Sequence, residues 1–429
     1  MTKIVVVGGG AGGMELLKKL SKLGRKGEAE ITLVDVSDHH IWKPLLHELA
    51  TGSLDEGLNA VDYRVHGSHN YYRFEQGAMA GLDRINRRVL LAPLYNEQGN
   101  EILPERALEY DYLVIGIGAV TNDFGVTGVK EHAYSLDLTS QAMKLRERIQ
   151  QLFLQHAHGV ADKDRFDMAI VGAGATGVEM AAEMHHMSET LRSYGYDLSD
   201  DLLNITLVEA SDSVMPALDK GGLRQAVNDK LLEIGVDVRT ETRVTEVTEQ
   251  GLHTAEGEVI QADLVLWAAG VKAPEVLTTL GLENHRGNQL VIEANGRTTS
   301  DPRIFAFGDC APTPQADGQW TPPRGQVARQ MALLVGDNLI RLIKDDNAAL
   351  KEYVYKDLGS FVNLSRFHTV GNMFSFLRGG LAVAGCPARF VYASLYRRHM
   401  LALHGPVKGT MLLALNGLQR IVRPQLKLW

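Results

Sequence analysis

Only two cysteines, Cys310 and Cys386, occur in 429 residues, and they lie far apart in the chain. Too few for a disulfide framework, they fit a reducing, cytoplasmic compartment, and each can serve as a small buried apolar residue. No uncharged stretch approaches the ~18 residues that a membrane-spanning helix needs. A cleavable leader is not expected, because an apolar strand starts at Lys3 and runs into glycines before a cleavage site could occur. The formal net charge of −8 argues against nucleic acid as a partner. Acid is also missing locally. From Leu358 to Trp429 there is no Asp or Glu against nine Arg or Lys, so the first 357 residues carry −17 and the last 72 carry +9.

Glycine, by contrast, is abundant at 43 residues, which suits a fold with several nucleotide turns, and the length allows two or three domains. Lys3-Ile-Val-Val-Val-Gly-Gly-Gly-Ala-Gly-Gly13 reads as strand, tight turn and the start of a helix. Gly8 permits the turn, Gly10 lets backbone approach a diphosphate, and Gly13 lets helix pack on strand. The helix N-terminus offers unpaired N–H groups to the anion. Asp35 ends the next apolar run, about 20 residues after the last glycine, where a Rossmann-type unit places the acid that holds the adenosine ribose. Tyr112-Leu-Val-Ile-Gly-Ile-Gly-Ala119 is a further buried strand ending in glycines, and a charge-rich helix is expected from about Ser140 to His156.

The opening signal then returns. Met168-Ala-Ile-Val-Gly-Ala-Gly-Ala-Thr-Gly-Val-Glu-Met180 repeats the strand, the turn at Gly172, Gly174 and Gly177, and the helix, and Glu209 ends the following strand. Two complete units about 160 residues apart are an internal duplication. Between Glu209 and Lys220 there is no Arg or Lys, so the second site favours a free 2′-hydroxyl over a 2′-phosphate, and a nicotinamide nucleotide held there would be NADH rather than NADPH.

Thr299-Ser-Asp-Pro-Arg-Ile-Phe-Ala-Phe-Gly-Asp309 resembles the second FAD signature of the two-dinucleotide flavoproteins. That resemblance gives Asp309 the ribityl chain of FAD, and so assigns FAD to the first unit and the nicotinamide nucleotide to the second. Disulfide reductases of this architecture carry a CxxxxC pair near Ile41-Trp-Lys-Pro-Leu-Leu-His-Glu48, and related peroxide or CoA-disulfide reductases carry one cysteine there. This stretch has none, so no thiol relay is expected.

Pro323-Arg-Gly-Gln-Val-Ala-Arg-Gln330 resembles the AQxAxQ motif of type II NADH dehydrogenases, the single-subunit, non-pumping NADH:quinone oxidoreductases, with Gly325 in place of the first Ala. The stretches Gly172 to Glu179, Trp42 to Glu48 and Ile421 to Trp429 look like bacterial members. The resemblance implies FAD at Gly8, Gly10, Ala11, Gly12, Gly13, Asp35, Lys43, Gly118, Asp309 and Val327. It implies NADH at Gly172, Gly174, Thr176, Gly177, Glu179, Glu209 and Gly270. Gln326 and Gln330 would line a quinone pocket, and Glu179 would sit where the nicotinamide stacks.

The implied architecture is α/β, with two Rossmann-type domains in a glutathione-reductase-like arrangement. Residues 1–125 and 285–345 would bind FAD, and residues 126–284 would bind NADH. Residues 346–429 would form a C-terminal region with membrane-associating helices. From Lys408 to Arg423, helical periodicity puts Lys408, Asn416, Gln419, Arg420 and Arg423 on one side, and Met411, Leu415, Leu418, Ile421 and Val422 on the other, with Leu412 and Leu413 off pattern. Arg389 to His404 is similar but less regular. A core-packed helix shares such a pattern but has no reason to exclude acids from its wet face, whereas a helix on anionic lipid does. The reading is a peripheral enzyme on the cytoplasmic face of the membrane, with a membrane quinone as acceptor; a homodimer is compatible with it. Sulfide:quinone oxidoreductase is the nearest alternative, but Cys310 and Cys386 lack the placement it needs. A flavoprotein that holds FAD without turnover is the alternative from another class.

Overall fold

The β-branched run at the N-terminus forms β1 (Thr2–Val7), and the glycines that break it open α1 (Ala11–Arg25). In chain order there follow β2 (Ala29–Asp35), α2 (Leu46–Thr51), β3 (Arg73–Gln76), β4 (Tyr112–Ile115) and α3 (Thr139–Ala157). The second copy of the pattern is β5 (Phe166–Val171), α4 (Ala175–Ser193), β6 (Leu203–Val208), β7 (Asp237–Arg239) and β8 (Leu264–Trp267). The chain then forms β9 (Asp301–Ala306) and α5 (Gly325–Lys344). It closes with β10 (Gly359–Leu364), β11 (His368–Met373), β12 (Leu381–Ala384), α6 (Cys386–His404) and α7 (Pro406–Val422). This computed structural model describes residues 1–96, 98–196, 198–199, 201–216, 218, 222–315, 318–373, 381–422 and 426.

The elements group into two compact units: 1–42, 60–120 and 272–356 make the first, and 43–59, 121–271 and 357–429 make the second. In the first, five parallel strands run in the order β3-β2-β1-β4-β9, with a short antiparallel edge at Arg297–Thr298. β1 is central and every side chain from Ile4 to Val7 is buried, as a parallel strand covered on both faces requires. α1 packs against α5 through buried Leu16, Leu20, Val335 and Leu339.

The second unit repeats this plan with four parallel strands in the order β7-β6-β5-β8. Each unit also carries a three-stranded antiparallel meander, over residues 79–109 in the first and 244–261 in the second. α2 packs on α3 and α4, and the antiparallel sheet β10-β11-β12 lies against α4 and α6. Residues 357–429, read from sequence as a region of their own, therefore share a unit with the second dinucleotide turn.

Among the described residues no helix is long and apolar enough to cross a membrane. On α7, Val407, Met411, Leu415 and Leu418 are exposed, while Leu412 and Leu413 are half-buried. Asn416, which the periodicity placed on the polar side, is half-buried instead. Its amide donates to Asn59 Oδ1 at 3.4 Å, and the same oxygen accepts from Tyr396 Oη at 2.6 Å. Leu412, Leu413 and Asn416 thus form the inward side of α7, and Val407, Met411, Leu415 and Leu418 face outward. Lys220, Arg423, and the side chains of Gln419, Arg420, Ile421 and Val422 lie outside the described residues, as does most of the closing motif to Trp429.

Candidate functional site: two copies of one turn

The two turns share the same glycine geometry. Gly8 and Gly172 have φ of +108° and +103°, a region that favours glycine. A Cβ at Gly8 would lie 2.3 Å from the Gly116 oxygen, and one at Gly172 would lie 2.8 Å from Ala268 backbone. A Cβ at Gly13 or at Gly177 would lie 2.0 Å from the carbonyl oxygen of Gly8 or Gly172, which is the close helix–strand approach the sequence called for. Gly10 and Gly174 cap their helices, and nothing lies within 4 Å of a Cβ at either. Each faces open space at a helix N-terminus, where an anion is favoured.

The acids are equivalent too. Asp35 Oδ2 accepts from Gly9 N at 2.6 Å and its Oδ1 from Ser37 N at 2.9 Å. Glu209 Oε2 accepts from Ala173 N at 2.8 Å and its Oε1 from Ser211 N at 2.9 Å. Each carboxylate therefore fastens the turn to the next strand, and an ionised carboxylate has lone pairs left for a ribose. Burial holds the Asp35 carboxyl above the usual range, with the Gly9 and Ser37 amides working against the shift.

Where the copies differ, a neighbouring side chain gives the reason. The Tyr63 hydroxyl donates to Gly9 O at 2.8 Å, and its ring fills the space that a Cβ on Gly9 would take. Ala173, the equivalent residue, has no such restriction. Gly12 lies under Phe307 and Ala328, whereas its counterpart Thr176 is exposed. Ala11 is half-buried in the first turn of α1. Sequence reasoning missed Tyr63, and the third consecutive glycine was the signal that an aromatic ring covers the turn.

The remaining residues singled out from sequence are divided between the units, and Lys43, expected at FAD, lies in the second. In the first unit, Gly118 has φ +71° and open space at its Cβ, Val327 is buried near the start of α5, and Asp309 O accepts from Gln289 Nε2 at 3.0 Å. Gln326 and Gln330 share one face of α5 and are half-buried. Gln330 is committed to its own unit: Nε2 donates to Lys356 O at 2.9 Å, and Oε1 accepts from Lys356 N at 3.3 Å. In the second unit, Lys43 Nζ pairs with Asp137 at 3.2 Å, and the other Asp137 oxygen accepts from Thr121 N. Gly270, exposed with φ +63°, ends the segment that follows β8.

Glu179 is buried on α4, and its environment is acidic. Oε1 accepts from Asn363 N at 3.0 Å, His47 Nδ1 stands 3.8 Å from Oε2, and the buried Tyr392 hydroxyl lies beside the carboxyl. Burial above all, with Glu48 and Glu183 adding like charge, pushes Glu179 up to about 8. Burial also lowers His47, against the pull of Glu183, which itself accepts a short hydrogen bond from Ser53. The acids Glu48 and Glu183 were not singled out from sequence; two glutamates four apart on an otherwise apolar helix face were the available signal.

Cys310 is buried in the first unit against the carbonyls of Ile115 and Phe307, and burial pushes its thiol up to about 12. It stays a thiol at physiological pH and is a poor nucleophile. Cys386 is exposed in the second unit.

Residues 2–332 match the pyridine nucleotide-disulphide oxidoreductase family. The type II NADH:quinone oxidoreductase of Haemophilus influenzae is 43% identical over the full length of both chains. That of Staphylococcus aureus is 27% identical, covering 94% of this chain and 96% of its own. The structure of NDH2 from Plasmodium falciparum in complex with NADH has the same fold, with a TM-score of 0.84 at 17% identity over 99% of this chain and all of that one. With two nucleotide turns, no cysteine pair and a full-length likeness of this degree, the chain belongs to the type II NADH:quinone oxidoreductases within the pyridine nucleotide-disulphide oxidoreductase family.

Proposed function

We propose that the chain is a single-subunit, non-proton-pumping NADH:quinone oxidoreductase that carries FAD and works in a respiratory chain. The full-length identity to the Haemophilus influenzae enzyme carries this reading. The duplicated turn gives it a physical basis, because one chain with two diphosphate grips can hold a resident and a passing dinucleotide. FAD is assigned to residues 1–125 and 285–345, and NADH to residues 126–284.

The open side of Gly10 and the free side of Gly118 fit a dinucleotide in the first unit. Gly8, Gly10, Ala11, Gly12, Gly13, Asp35, Gly118, Asp309 and Val327 would hold FAD there, and Lys43 is added on family likeness alone. Bound FAD supplies acceptance of a hydride and its release as two electrons. The chain does the rest by binding and placement. The N-terminus of α1 stabilises the diphosphate, and Glu209 repels a 2′-phosphate and so selects NADH. Gly172, Gly174, Thr176, Gly177 and Gly270 would shape the NADH site. Burial and the neighbouring acids favour the protonated form of Glu179, which can offer a hydrogen bond beside the nicotinamide without adding charge. Gln326 and Gln330 lie on one face of α5 for quinone oxygens, Gln330 through the Nε2 hydrogen that does not bond Lys356 O. The test is spectroscopic: NADH should bleach the flavin and a quinone analogue restore it, while sulfide in place of NADH should do nothing. A flavin that sulfide bleaches, or that quinone leaves reduced, overturns the reading.

The same protein is proposed to sit peripherally on the cytoplasmic face of the membrane through α6 and α7. The acid-free stretch from Leu358, exposed Arg397, Arg398 and Lys408, and the outward stripe of Val407, Met411, Leu415 and Leu418 support this. Apolar insertion and attraction to anionic lipid then act together, each basic residue contributing about 1 kcal/mol.

A further inference from the structure

In the second unit Phe124 combines a left-handed backbone with a largely exposed side chain: φ is +51° and the residue is 63% exposed. Left-handed backbone is costly for a bulky residue and persists only where surrounding contacts impose it. Here they are specific. Asn122 N donates to Gly270 O at 3.2 Å, Trp267 Nε1 donates to Asn122 O at 2.8 Å, and Phe124 N donates to Asn122 Oδ1 at 3.0 Å. These bonds fasten residues 122–124 to the segment leaving β8. The Phe124 ring then lies directly on Gly270, where a Cβ would meet its Cζ at 2.6 Å. Gly270 thus lacks a side chain for two reasons, its φ of +63° and the ring above it.

The position of this ring has a chemical meaning. In a doubly wound sheet, ligands bind beyond the carboxyl ends of the strands. Gly172 follows β5, and a Cβ there would strike Ala268 and Ala269, so the diphosphate turn and the Phe124 platform flank one short segment, 268–270. Sheet order fixes which half of the dinucleotide comes near. β6, with Glu209 at its tip, lies on one side of β5, and β8 lies on the other. If the adenosine ribose is held at Glu209, the nicotinamide half runs over β8 and past Phe124.

We propose that Phe124 is a specificity-determining residue of the NADH site, an aromatic wall held at the end of β8 that packs on the nicotinamide riboside half of the dinucleotide. The proposal rests on the reading that NADH binds the second unit. An exposed ring gains by covering an apolar or planar face, and aromatic stacking on a base is worth about ten-fold or more in affinity.

Titration of the flavin-loaded protein with NADH and with ADP-ribose, which lacks the nicotinamide, tests it. Phe124→Leu should raise the NADH dissociation constant about ten-fold and leave that of ADP-ribose within about two-fold, and Phe124→Tyr should restore NADH binding. Limited proteolysis of the second unit reports whether each variant has folded. Unchanged NADH affinity in Phe124→Leu overturns the proposal. So does an equal loss for both ligands that Phe124→Tyr fails to repair, which would make the ring a support for the loop. Gly174→Val separates this from the underlying reading, because its side chain enters the open space beside the diphosphate turn. If Gly174→Val binds NADH normally, the nucleotide is not in the second unit and both ideas fall. If it abolishes NADH binding while Phe124→Leu has no effect, only the role of Phe124 falls.

Discussion

Glu15 and Glu179 occupy the same place in the two turns, five residues beyond the glycine that caps each helix, and both are buried. Their surroundings are opposite. Glu15 pairs with Arg329 of α5 at 2.5 Å, so its charge is matched within the first unit. Glu179 has other acids as neighbours and a histidine that burial keeps neutral, and it is driven toward its protonated form. Duplication thus supplied two identical frames, and the side chains packed against them made one a charged structural joint and the other a proton-holding group. A motif gives the grip on a diphosphate; its neighbours decide what each copy is for.

The strongest way to break this comparison is to remove what the copies share. Gly13→Ala and Gly177→Ala each drive a Cβ onto a carbonyl oxygen at 2.0 Å, and each should destabilise its own unit by about 3 kcal/mol. The temperature at which flavin is released should fall sharply for Gly13→Ala. Limited proteolysis should instead open the second unit of Gly177→Ala.

Next comes the difference itself. Glu15→Gln leaves Arg329 facing a neutral amide and, as Arg329 is partly exposed, should cost about 2 kcal/mol. Glu179→Gln should behave differently. A carboxyl raised to about 8 in the folded state binds more protons folded than unfolded, so its contribution to stability falls as pH rises from about 4.5 to 8 and is flat above. The glutamine variant should lose that slope and be relatively more stable at pH 9 than at pH 5, by comparison with the unaltered protein in denaturant titrations at both values. A parallel pH dependence in the two proteins would show that Glu179 titrates as an ordinary acid.

Cofactor choice sharpens the comparison between the two carboxylate anchors. Glu209→Arg removes the bonds to Ala173, Ser211 and the proposed ribose, and should weaken NADH use about ten-fold while admitting NADPH. Unaltered preference in steady-state kinetics with both nucleotides would detach Glu209 from the site. A smaller effect is expected on the acceptor side. Gln326→Leu should slow flavin reoxidation by quinone about five-fold and leave reduction by NADH intact in stopped-flow traces. Gln330→Leu should show the same change together with lower stability, since its amide also holds the backbone of Lys356. Smallest is the membrane term: changing Arg397, Arg398, Arg420 and Arg423 to Gln should reduce co-sedimentation with anionic vesicles at low salt without affecting NADH oxidation by a soluble dye.

Much of this was legible in the residues because it is local. Strand, glycine turn, helix and acid follow each other within about 30 residues, and backbone geometry dictates glycine at Gly8, Gly13, Gly172 and Gly177. The break of helix periodicity at Leu412 and Leu413 was visible as well, but not the inward placement of Asn416, because its partner Asn59 is distant in sequence. The same holds for Tyr63 on Gly9, Arg329 on Glu15 and Asn363 on Glu179. Each is a long-range contact that fixes the character of a site whose outline is local, and a single sequence carries no spacing rule for such contacts.

One pair of variants tests the central claim, that one copy of the turn holds flavin and the other the nicotinamide nucleotide. A side chain at Gly10 or Gly174 meets nothing within 4 Å of its Cβ, so Gly10→Val and Gly174→Val fill ligand space while sparing the fold. The decisive measurement is the absorbance spectrum of each purified protein before and after NADH. Gly174→Val should be yellow with a full complement of flavin that dithionite bleaches and NADH does not, and Gly10→Val should lack flavin. Loss of flavin from Gly174→Val, with a Gly10→Val protein that keeps its flavin and is bleached by NADH, would contradict the account.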